Sequence, residues 1–349
     1  MDKSKLKILL AENHAELRKI IKDYLKADGY EELSITENGK SALAKLKSQA
    51  VDLIIADAAL PEINGLELLA EVRRDNSLKE IPFLLVASEV NQEFVAKAAE
   101  LGVDGYMIKP FSHQVLSEKV ESIFERKFHP DAGLVTAKDA QRMLEAGDLD
   151  GALEKFQEAL ESTKTAMASL HHKVGGVYEK LERDEEAEDN YHKSIKMSAL
   201  FVKTYDALGS MKMRQGDEHN AANFLKTSVI ISPLSPDRQF KLGEALLGTD
   251  EFEDAEKAFK ISLKIDPQQT HIFNRLGMSL RRQGKLKESV SYFQRALSVT
   301  KDDENLYFNA GQVLVQMDEK TNAVPFLKKA LELNPQFDEA RELLEQISS

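Results

Sequence analysis

The sequence contains no cysteine among its 349 residues. This absence excludes disulfide bonds, thiol nucleophiles and cysteine-ligated zinc or iron–sulfur centres. Long apolar runs are also missing. The segment that follows the first basic residues is only four apolar residues long, and no stretch of about 18 apolar residues comes after it. We therefore expect neither a signal peptide nor a membrane span, and a soluble, cytoplasmic protein.

Positive charge is in deficit as well. Lys and Arg number 47 against 59 Asp and Glu, so the formal net charge is 47 − 59 = −12. Residues 1–125 carry 16 − 22 = −6 and residues 126–349 carry 31 − 37 = −6, so neither part is basic. Nucleic acid is polyanionic, and we therefore expect no nucleic-acid partner. The length favours two or three domains.

Up to about residue 125, short apolar runs alternate with segments whose apolar residues recur every three or four positions. The runs lie at residues 7–11, 33–36, 51–56, 83–86 and 105–108. This alternation predicts a five-stranded, doubly wound parallel sheet, an α/β fold covered by helices on both faces. Ligands of such sheets bind at the carboxyl ends of the strands. The residues at those ends are Glu12, Asn13, Asp57, Ala87, Ser88 and Lys109.

After a linker at residues 126–136, strand patterns stop and a repeat of 34 residues begins. Its glycines are Gly209, Gly243, Gly277 and Gly311. A small residue recurs twelve positions after each glycine, at Ala221, Ala255, Ser289 and Ala323, and one period earlier at Ala187. Four positions further on stands a large apolar residue, at Tyr191, Leu225, Phe259, Phe293 and Leu327. Small residues let two helices approach closely, and the large residue fills the space between them.

This pattern resembles the tetratricopeptide repeat (TPR) family from about residue 137 to the end. We count about six repeats, which start near residues 133, 168, 202, 236, 270 and 304. A final helix at residues 338–347 carries charges between its apolar residues, as a cap of a solenoid should. We therefore predict an all-α TPR superhelix that follows the α/β domain.

The segment "DAALPEING" at residues 57–65 follows the third predicted strand, and "GYMIKPF" ends the fifth. With these motifs residues 5–125 resemble the receiver domain of two-component response regulators. The resemblance implies that Asp57 accepts a phosphoryl group and that Lys109 is its counter-charge, followed by a cis bond to Pro110. It also implies Mg²⁺ at the acidic pair after the first strand, which aligns with Glu12 and Asn13, together with Asp57.

The sequence departs from the receiver pattern at two positions. Asn13 replaces an acid, so we expect the affinity for Mg²⁺ to be weakened. Ala87 replaces the Thr or Ser whose hydroxyl binds the phosphoryl group in this family. Ser88 is adjacent, but neighbouring residues of a strand point to opposite faces. Tyr106 aligns with the aromatic switch residue and stands without its usual trigger.

The TPR resemblance also places a partner groove on the first helices of the repeats. Its candidate residues are Lys203, Asp206, Arg214, Phe240, Glu244, Asn274, Arg281, Phe308 and Gln312. We expect protein partners there, and no enzymatic activity, because no nucleophile elbow, metal-ligand spacing or phosphate-cradling glycine loop is visible in the sequence.

The favoured hypothesis is a signalling adaptor that a histidine kinase or phosphotransfer protein phosphorylates at Asp57, with the TPR solenoid as output. Two alternatives remain open. In the first alternative, the receiver is a fixed scaffold that phosphorylation does not switch. In the second, the chain is a phosphate sink or phosphatase of a phosphorelay. For the latter, Glu62, Glu89 and Asn91 are candidates to orient water. The kinase, the TPR ligand and the oligomeric state are not predicted.

Overall fold

The computed structural model describes residues 2–129, 131–163, 167–267 and 271–348. The chain falls into two compact units, residues 1–204 and residues 205–349. In the part of the chain that is described, no helix is long and apolar enough to cross a membrane.

The first unit begins with a short 3-10 turn at Lys3–Lys5, followed by a five-stranded sheet. The strands are β1 (Ile8–Ala11), β2 (Leu33–Thr36), β3 (Leu53–Asp57), β4 (Phe83–Ala87) and β5 (Gly105–Ile108). All neighbours are parallel, in the order β2-β1-β3-β4-β5. The helices of this sheet are α1 (Ala15–Ala27), α2 (Gly39–Ser48), α3 (Gly65–Arg74), α4 (Gln92–Glu100) and α5 (His113–Phe128). The predicted α/β class and strand count are confirmed.

The central strands β1, β3 and β4 are buried on both faces, which explains their continuous apolar runs, whereas β2 and β5 at the edges are partly exposed. Ile8 and Leu10 of β1 join one core, with residues of α1 and α5 such as Ile21 and Phe124. Leu9 points to the opposite face and belongs to a second core, to which α2 and α3 also contribute. The central strands are thus packed from two sides, which positions their carboxyl ends.

After α5, only helices follow among the described residues. They are α6 (Ala132–Glu145), α7 (Leu149–Ser162), α8 (Met167–Lys180), α9 (Asp184–Met197), α10 (Val202–Arg214), α11 (Glu218–Ile231), α12 (Pro236–Gly248), α13 (Phe252–Ile265), α14 (Ile272–Arg282), α15 (Leu286–Val299), α16 (Glu304–Gln316), α17 (Lys320–Leu333) and α18 (Asp338–Ser348). Helices α6 to α9 belong to the first unit and α11 to α18 to the second, and the border lies in α10. The all-α architecture of this region is confirmed.

The repeated glycines permit close contacts between paired helices. A Cβ atom on Gly243 would lie 2.5 Å from Cε1 of Phe259, which is fully buried. The same approach joins four further pairs, Gly175 with Tyr191, Gly209 with Leu225, Gly277 with Phe293 and Gly311 with Leu327. Glycine at these positions therefore sets how closely the two helices of a pair pack.

The turns between the helices of a pair also repeat. Gly216 and Gly284 have φ angles of 73° and 76°, and Asp250 and Asp318 both have φ of 60°. These positions are spaced by 34 residues and all adopt the left-handed conformation that glycine accepts at least cost. The period thus appears in the backbone as well as in the side chains.

Candidate functional site

Three charged side chains from the ends of three strands meet at the carboxyl edge of the sheet. The Nζ atom of Lys109 lies 2.9 Å from Oε2 of Glu12 and 2.9 Å from Oδ2 of Asp57. The side chains of Glu12 and Asp57 are only 1% and 6% exposed, and that of Lys109 is 16% exposed. A nearly buried ammonium group thus bridges two buried carboxylates, and the formal charge of the three is −1.

The remaining carboxylate oxygens accept hydrogen bonds from the backbone. The His14 N–H donates to Oε1 of Glu12 at 2.9 Å, and the Ala59 N–H donates to Oδ1 of Asp57 at 3.2 Å. Both carboxylates are therefore oriented by backbone as well as by Lys109. The arrangement satisfies the requirement that buried charges be paired and hydrogen-bonded.

Arg18 of α1 holds the loop that follows β1. Its guanidinium donates to the backbone oxygens of Glu12 at 2.8 Å and Asn13 at 3.1 Å, and it pairs with Glu37 at 2.7 Å. Reasoning from the sequence missed this positioning residue. The available signal was a lone arginine one turn into the helix that follows the Glu12–Asn13 pair.

The position of the glycine in "DAALPEING" has a steric reason. A Cβ atom on Gly65 would lie 2.4 Å from the backbone oxygen of Asp57, so no larger residue fits without a shift. Asn64 and Glu67 form a reciprocal capping box that starts α3 at this glycine. Across the site, the Lys109–Pro110 peptide bond is cis, in line with the receiver pattern.

Oxygen donors for a divalent cation are present but carry little charge. Asn13 follows Glu12 in the chain and is exposed, and its amide oxygen is the third candidate ligand. No cluster of three or more His, Asp or Glu able to hold a metal ion occurs among the described residues. Two carboxylates and an amide fit Mg²⁺ in kind, because this ion prefers oxygen ligands, although Lys109 already offsets one of the two charges.

The three switch candidates differ in solvent exposure. Ala87 ends β4, is 2% exposed, and accepts the Lys109 N–H at its backbone oxygen at 2.8 Å. Ser88 is exposed, and Tyr106 of β5 is 37% exposed. A buried methyl group thus stands where a receiver of the usual pattern has a hydroxyl.

The residues considered for orienting water have other contacts or lie in solvent. The Glu62 carboxylate lies 4.0 Å from Nζ of Lys40, and the Asn91 side chain caps α4 by accepting the Phe94 N–H. Glu89 is exposed.

In the second unit, three of the groove candidates line one cavity of about 690 Å³, namely Phe240, Asn274 and Phe308. Two others, Arg281 and Gln312, hydrogen-bond to each other. Glu244 pairs with Arg275, which lines the same cavity. Burial raises the pKa of Glu244, and the positive charge of Arg275 opposes this rise.

The other groove candidates lie elsewhere. Asp206 forms an ion pair at 2.7 Å with the buried Arg238 and accepts a hydrogen bond from Ser228, so its charge serves the packing of α10, α11 and α12. Arg214 is exposed near the end of α10. Lys203 is exposed and belongs to the first unit.

Comparison with known families divides the chain in the same way as its two kinds of architecture. The family model described as "Response regulator receiver domain" matches residues 8–121, and a model described as "Tetratricopeptide repeat" matches residues 268–336. The chain is thus a response-regulator-like protein of two-component signalling that carries a protein-interaction domain.

Curated relatives agree on the N-terminal part. Chemotaxis protein CheY of Pseudomonas aeruginosa is 40% identical over 121 residues, which are 35% of this chain and 98% of the relative. Chemotaxis protein CheY1 of Helicobacter pylori is 40% identical over 119 residues, 34% of this chain and 96% of the relative. Through this part, the chain belongs to the response regulator receiver family.

Solved structures resemble the helical part in fold alone. YrrB, described as a TPR protein with an unusual peptide-binding site, is 19% identical with a TM-score of 0.51, over 54% of this chain and 96% of YrrB. The C-terminal part of a TPR repeat-containing protein from Cytophaga hutchinsonii is 16% identical with a TM-score of 0.52. That match covers 65% of this chain and 94% of the Cytophaga chain.

Proposed function

We propose that the chain is a cytoplasmic signalling adaptor whose receiver domain is phosphorylated at Asp57 and whose TPR domain is the output. The observation that carries this proposal is the contact of Lys109 with both Glu12 and Asp57 at the edge of the sheet. A lysine that is only solvated at the surface would not contact two buried carboxylates at 2.9 Å. A lysine that neutralises an incoming phosphoryl group must lie within reach of the acceptor carboxylate, as Lys109 does.

The proposed reaction is phosphoryl transfer from the phosphohistidine of a histidine kinase or phosphotransfer protein. A carboxylate oxygen of Asp57 forms a bond to phosphorus while the P–N bond to the histidine breaks. The imidazole nitrogen keeps the electron pair and takes a proton from solvent. Two anions approach each other in this step, so the fixed positive charge of Lys109 lowers its electrostatic cost.

Glu12, Asp57 and the amide oxygen of Asn13 are the residues that would hold Mg²⁺, and the ion would supply further positive charge beside the phosphoryl oxygens. Because Asn13 brings no charge, we propose weak binding that requires a high concentration of the ion.

The output in this proposal is protein–protein interaction through the helices, and the chain has no catalytic activity of its own. Phosphorylation adds about −1.5 to −2 charges near neutral pH, by analogy with other phosphorylated side chains. That charge changes which partner complexes are stable. The support is the combination of a receiver domain with TPR repeats in one chain.

The decisive experiment is to incubate the full-length protein with acetyl phosphate and Mg²⁺ and to measure its intact mass. We expect a gain of one phosphoryl group in the wild type and none in Asp57→Asn. The matched control is Asp23→Asn, because Asp23 is exposed on α1 and should be labelled like the wild type. An unlabelled wild type, under conditions that label a CheY relative, would overturn the proposal.

A second candidate function is a fixed receiver that serves as a docking module. The buried methyl of Ala87 and the exposed Ser88 favour it, because no hydroxyl of β4 is placed to respond to a phosphoryl group. In that case Asp57→Asn leaves partner binding unchanged in a pull-down, whereas the first candidate expects a difference between phosphorylated and unphosphorylated protein.

A further inference from the structure

The cavity in the second unit, which we call the aromatic groove, is lined by three half-buried phenylalanines. They are Phe240 of α12, Phe308 of α16 and Phe337, which precedes α18. The rings of Phe308 and Phe337 lie 4.8 Å apart, and Phe240 contacts His271 edge-on at 4.7 Å. With a volume of about 690 Å³, the groove has room for several side chains of a ligand. Aromatic walls favour a large apolar side chain as anchor.

Amide groups line the same groove and suit an extended peptide backbone. The Asn309 side-chain NH₂ donates to the Asn274 side-chain oxygen at 3.2 Å. This bond leaves the NH₂ group of Asn274 and the side-chain oxygen of Asn309 with hydrogen-bonding capacity. One donor and one acceptor side by side match the alternating N–H and C=O groups of a peptide.

The formal charge of the aromatic groove is negative. Its arginine, Arg275, is already paired with Glu244 at 2.9 Å. Asp303 and Glu339 also line it, and neither has a basic partner among the residues that the structure describes. Asp303 accepts backbone N–H groups at the start of α16, which offsets part of its charge. Glu339 is exposed on α18 and lines the same groove.

We propose that the aromatic groove binds a short segment of a partner protein in which an aromatic or large aliphatic residue is flanked by Lys or Arg. The proposal rests on the proposed function, because it names the ligand class of the TPR output. Apolar contact with the phenylalanines supplies the anchor, and the unpaired acids select against an acidic segment. A neutral anchor without flanking charge would bind through the rings alone.

The test uses the full-length protein and three fluorescein-labelled peptides of equal length, with binding measured by fluorescence anisotropy at low salt. The first peptide has Phe and Leu flanked by Lys, the second replaces Lys by Glu, and the third replaces Phe and Leu by Ala while it keeps Lys. We expect the first to bind about tenfold more tightly than either of the others. Phe308→Ala should weaken binding of the first peptide by at least the same factor.

Charge reversal at Glu339 separates the groove from the net charge of the protein. Glu339→Lys should weaken the basic peptide about fivefold and strengthen the acidic one. Glu342→Lys makes the same charge change on the same helix at an exposed residue outside the groove, and should leave both affinities within twofold. Equal effects of the two variants, or an acidic peptide that binds as well as the basic one, would overturn the proposed ligand class.

The outcomes also distinguish this inference from the proposed function. If the acidic peptide binds and Phe308→Ala weakens it, the repeats still act as output and only the ligand class is wrong. If no peptide binds with dependence on Phe308, the aromatic groove is not a peptide site and this inference fails, while the proposed function is still decided by the phosphorylation of Asp57. Circular dichroism spectra of the variants identify any loss of folding.

Discussion

The strand-edge site and the aromatic groove use polar residues in opposite ways. At the strand edge, Lys109 makes two contacts of 2.9 Å with nearly buried carboxylates, and little space remains between the three groups. In the aromatic groove, half-buried rings and amides surround about 690 Å³, and two acids have no basic partner among the residues that the structure describes. The first arrangement suits one covalent reaction with one small group. The second suits ligands that vary in sequence, with selection by charge and anchor.

The strand-edge site and the aromatic groove should therefore differ in their sensitivity to substitution. A site of three mutually paired charges should lose stability when one member is removed, because the others are left buried without compensation. A half-exposed groove should tolerate truncation, since its stability lies in the fully buried residues behind it. The following predictions test this contrast, from the largest expected effect to the smallest.

Phe259→Ala should lower the free energy of unfolding of the second unit by about 3–5 kcal/mol, because it removes a fully buried ring from between α12 and α13. Urea titration followed by far-UV circular dichroism measures the loss. Phe308→Ala, which truncates a half-buried ring of the aromatic groove, is the matched control and should cost about 1 kcal/mol. Similar losses for the two variants would contradict the contrast between core and groove.

Lys109→Met should destabilise the first unit by about 2–4 kcal/mol, since Glu12 and Asp57 would face each other without a counter-charge. The unfolding midpoint in urea measures this, and the double variant with Asp57→Asn should recover part of the loss. A single variant as stable as the wild type would show that Lys109 does not hold the carboxylates together in solution.

Ala87→Thr should raise the yield or lifetime of phosphorylated Asp57 about tenfold, because a hydroxyl at this position can donate one hydrogen bond to a phosphoryl oxygen. Ala87→Val is a close control, since valine has nearly the shape of threonine without the hydroxyl. Intact mass at successive times after removal of acetyl phosphate measures the lifetime. Equal lifetimes in both variants would mean that the missing hydroxyl is not what limits this site.

Glu256→Gln should change how the second unit responds to acid. Burial alone raises the pKa of Glu256, but hydrogen bonds from Lys260 and Lys285 outweigh it and lower the pKa to about 2. Because this pKa lies below the ordinary value of 4.5, the carboxylate stabilises the fold above pH 4.5. That contribution is lost as the pH falls from 4.5 toward 2.

The two lysines are half-exposed, so the contribution at neutral pH is about 1 kcal/mol. Thermal unfolding across this pH range measures it, and Glu256→Gln should show the shallower decline. Glu253→Gln on the exposed side of α13 is the control and should follow the wild type.

The central strands of the sheet were predictable because they are buried on both faces and therefore form uninterrupted apolar runs. Asp57 and Lys109 could be located for the same reason, since the first polar residue after such a run lies at the edge of the sheet. The helical pairs were predictable from the spacing between glycines such as Gly243 and buried rings such as Phe259. In each case a pattern of nearby residues in the sequence predicts which residues meet in the fold.

Contacts that depend on side-chain direction were not predictable. Asp206 stood at a groove position of its repeat, but its carboxylate turns to Arg238, which lies 32 residues further along the chain. Arg18 reaches back to the backbone oxygens of Glu12 and Asn13, and no periodicity indicates such a bond. Phe337, directly before α18, lines the aromatic groove and was not among the predicted groove residues. The sequence pattern determines where a backbone lies more strictly than where a long side chain ends.

The compact first unit ends at residue 204, well beyond the last strand of the sheet. Lys127 of α5 reaches Asp52 at 2.9 Å, and Lys138 of α6 reaches Glu80 at 2.7 Å. A fragment cut after residue 125 would lose both ion pairs and the last residues of α5. Anyone who expresses the receiver separately, or grafts it onto another protein, should therefore end the fragment after Phe128 rather than at residue 125, so that Lys127 stays in place to pair with Asp52.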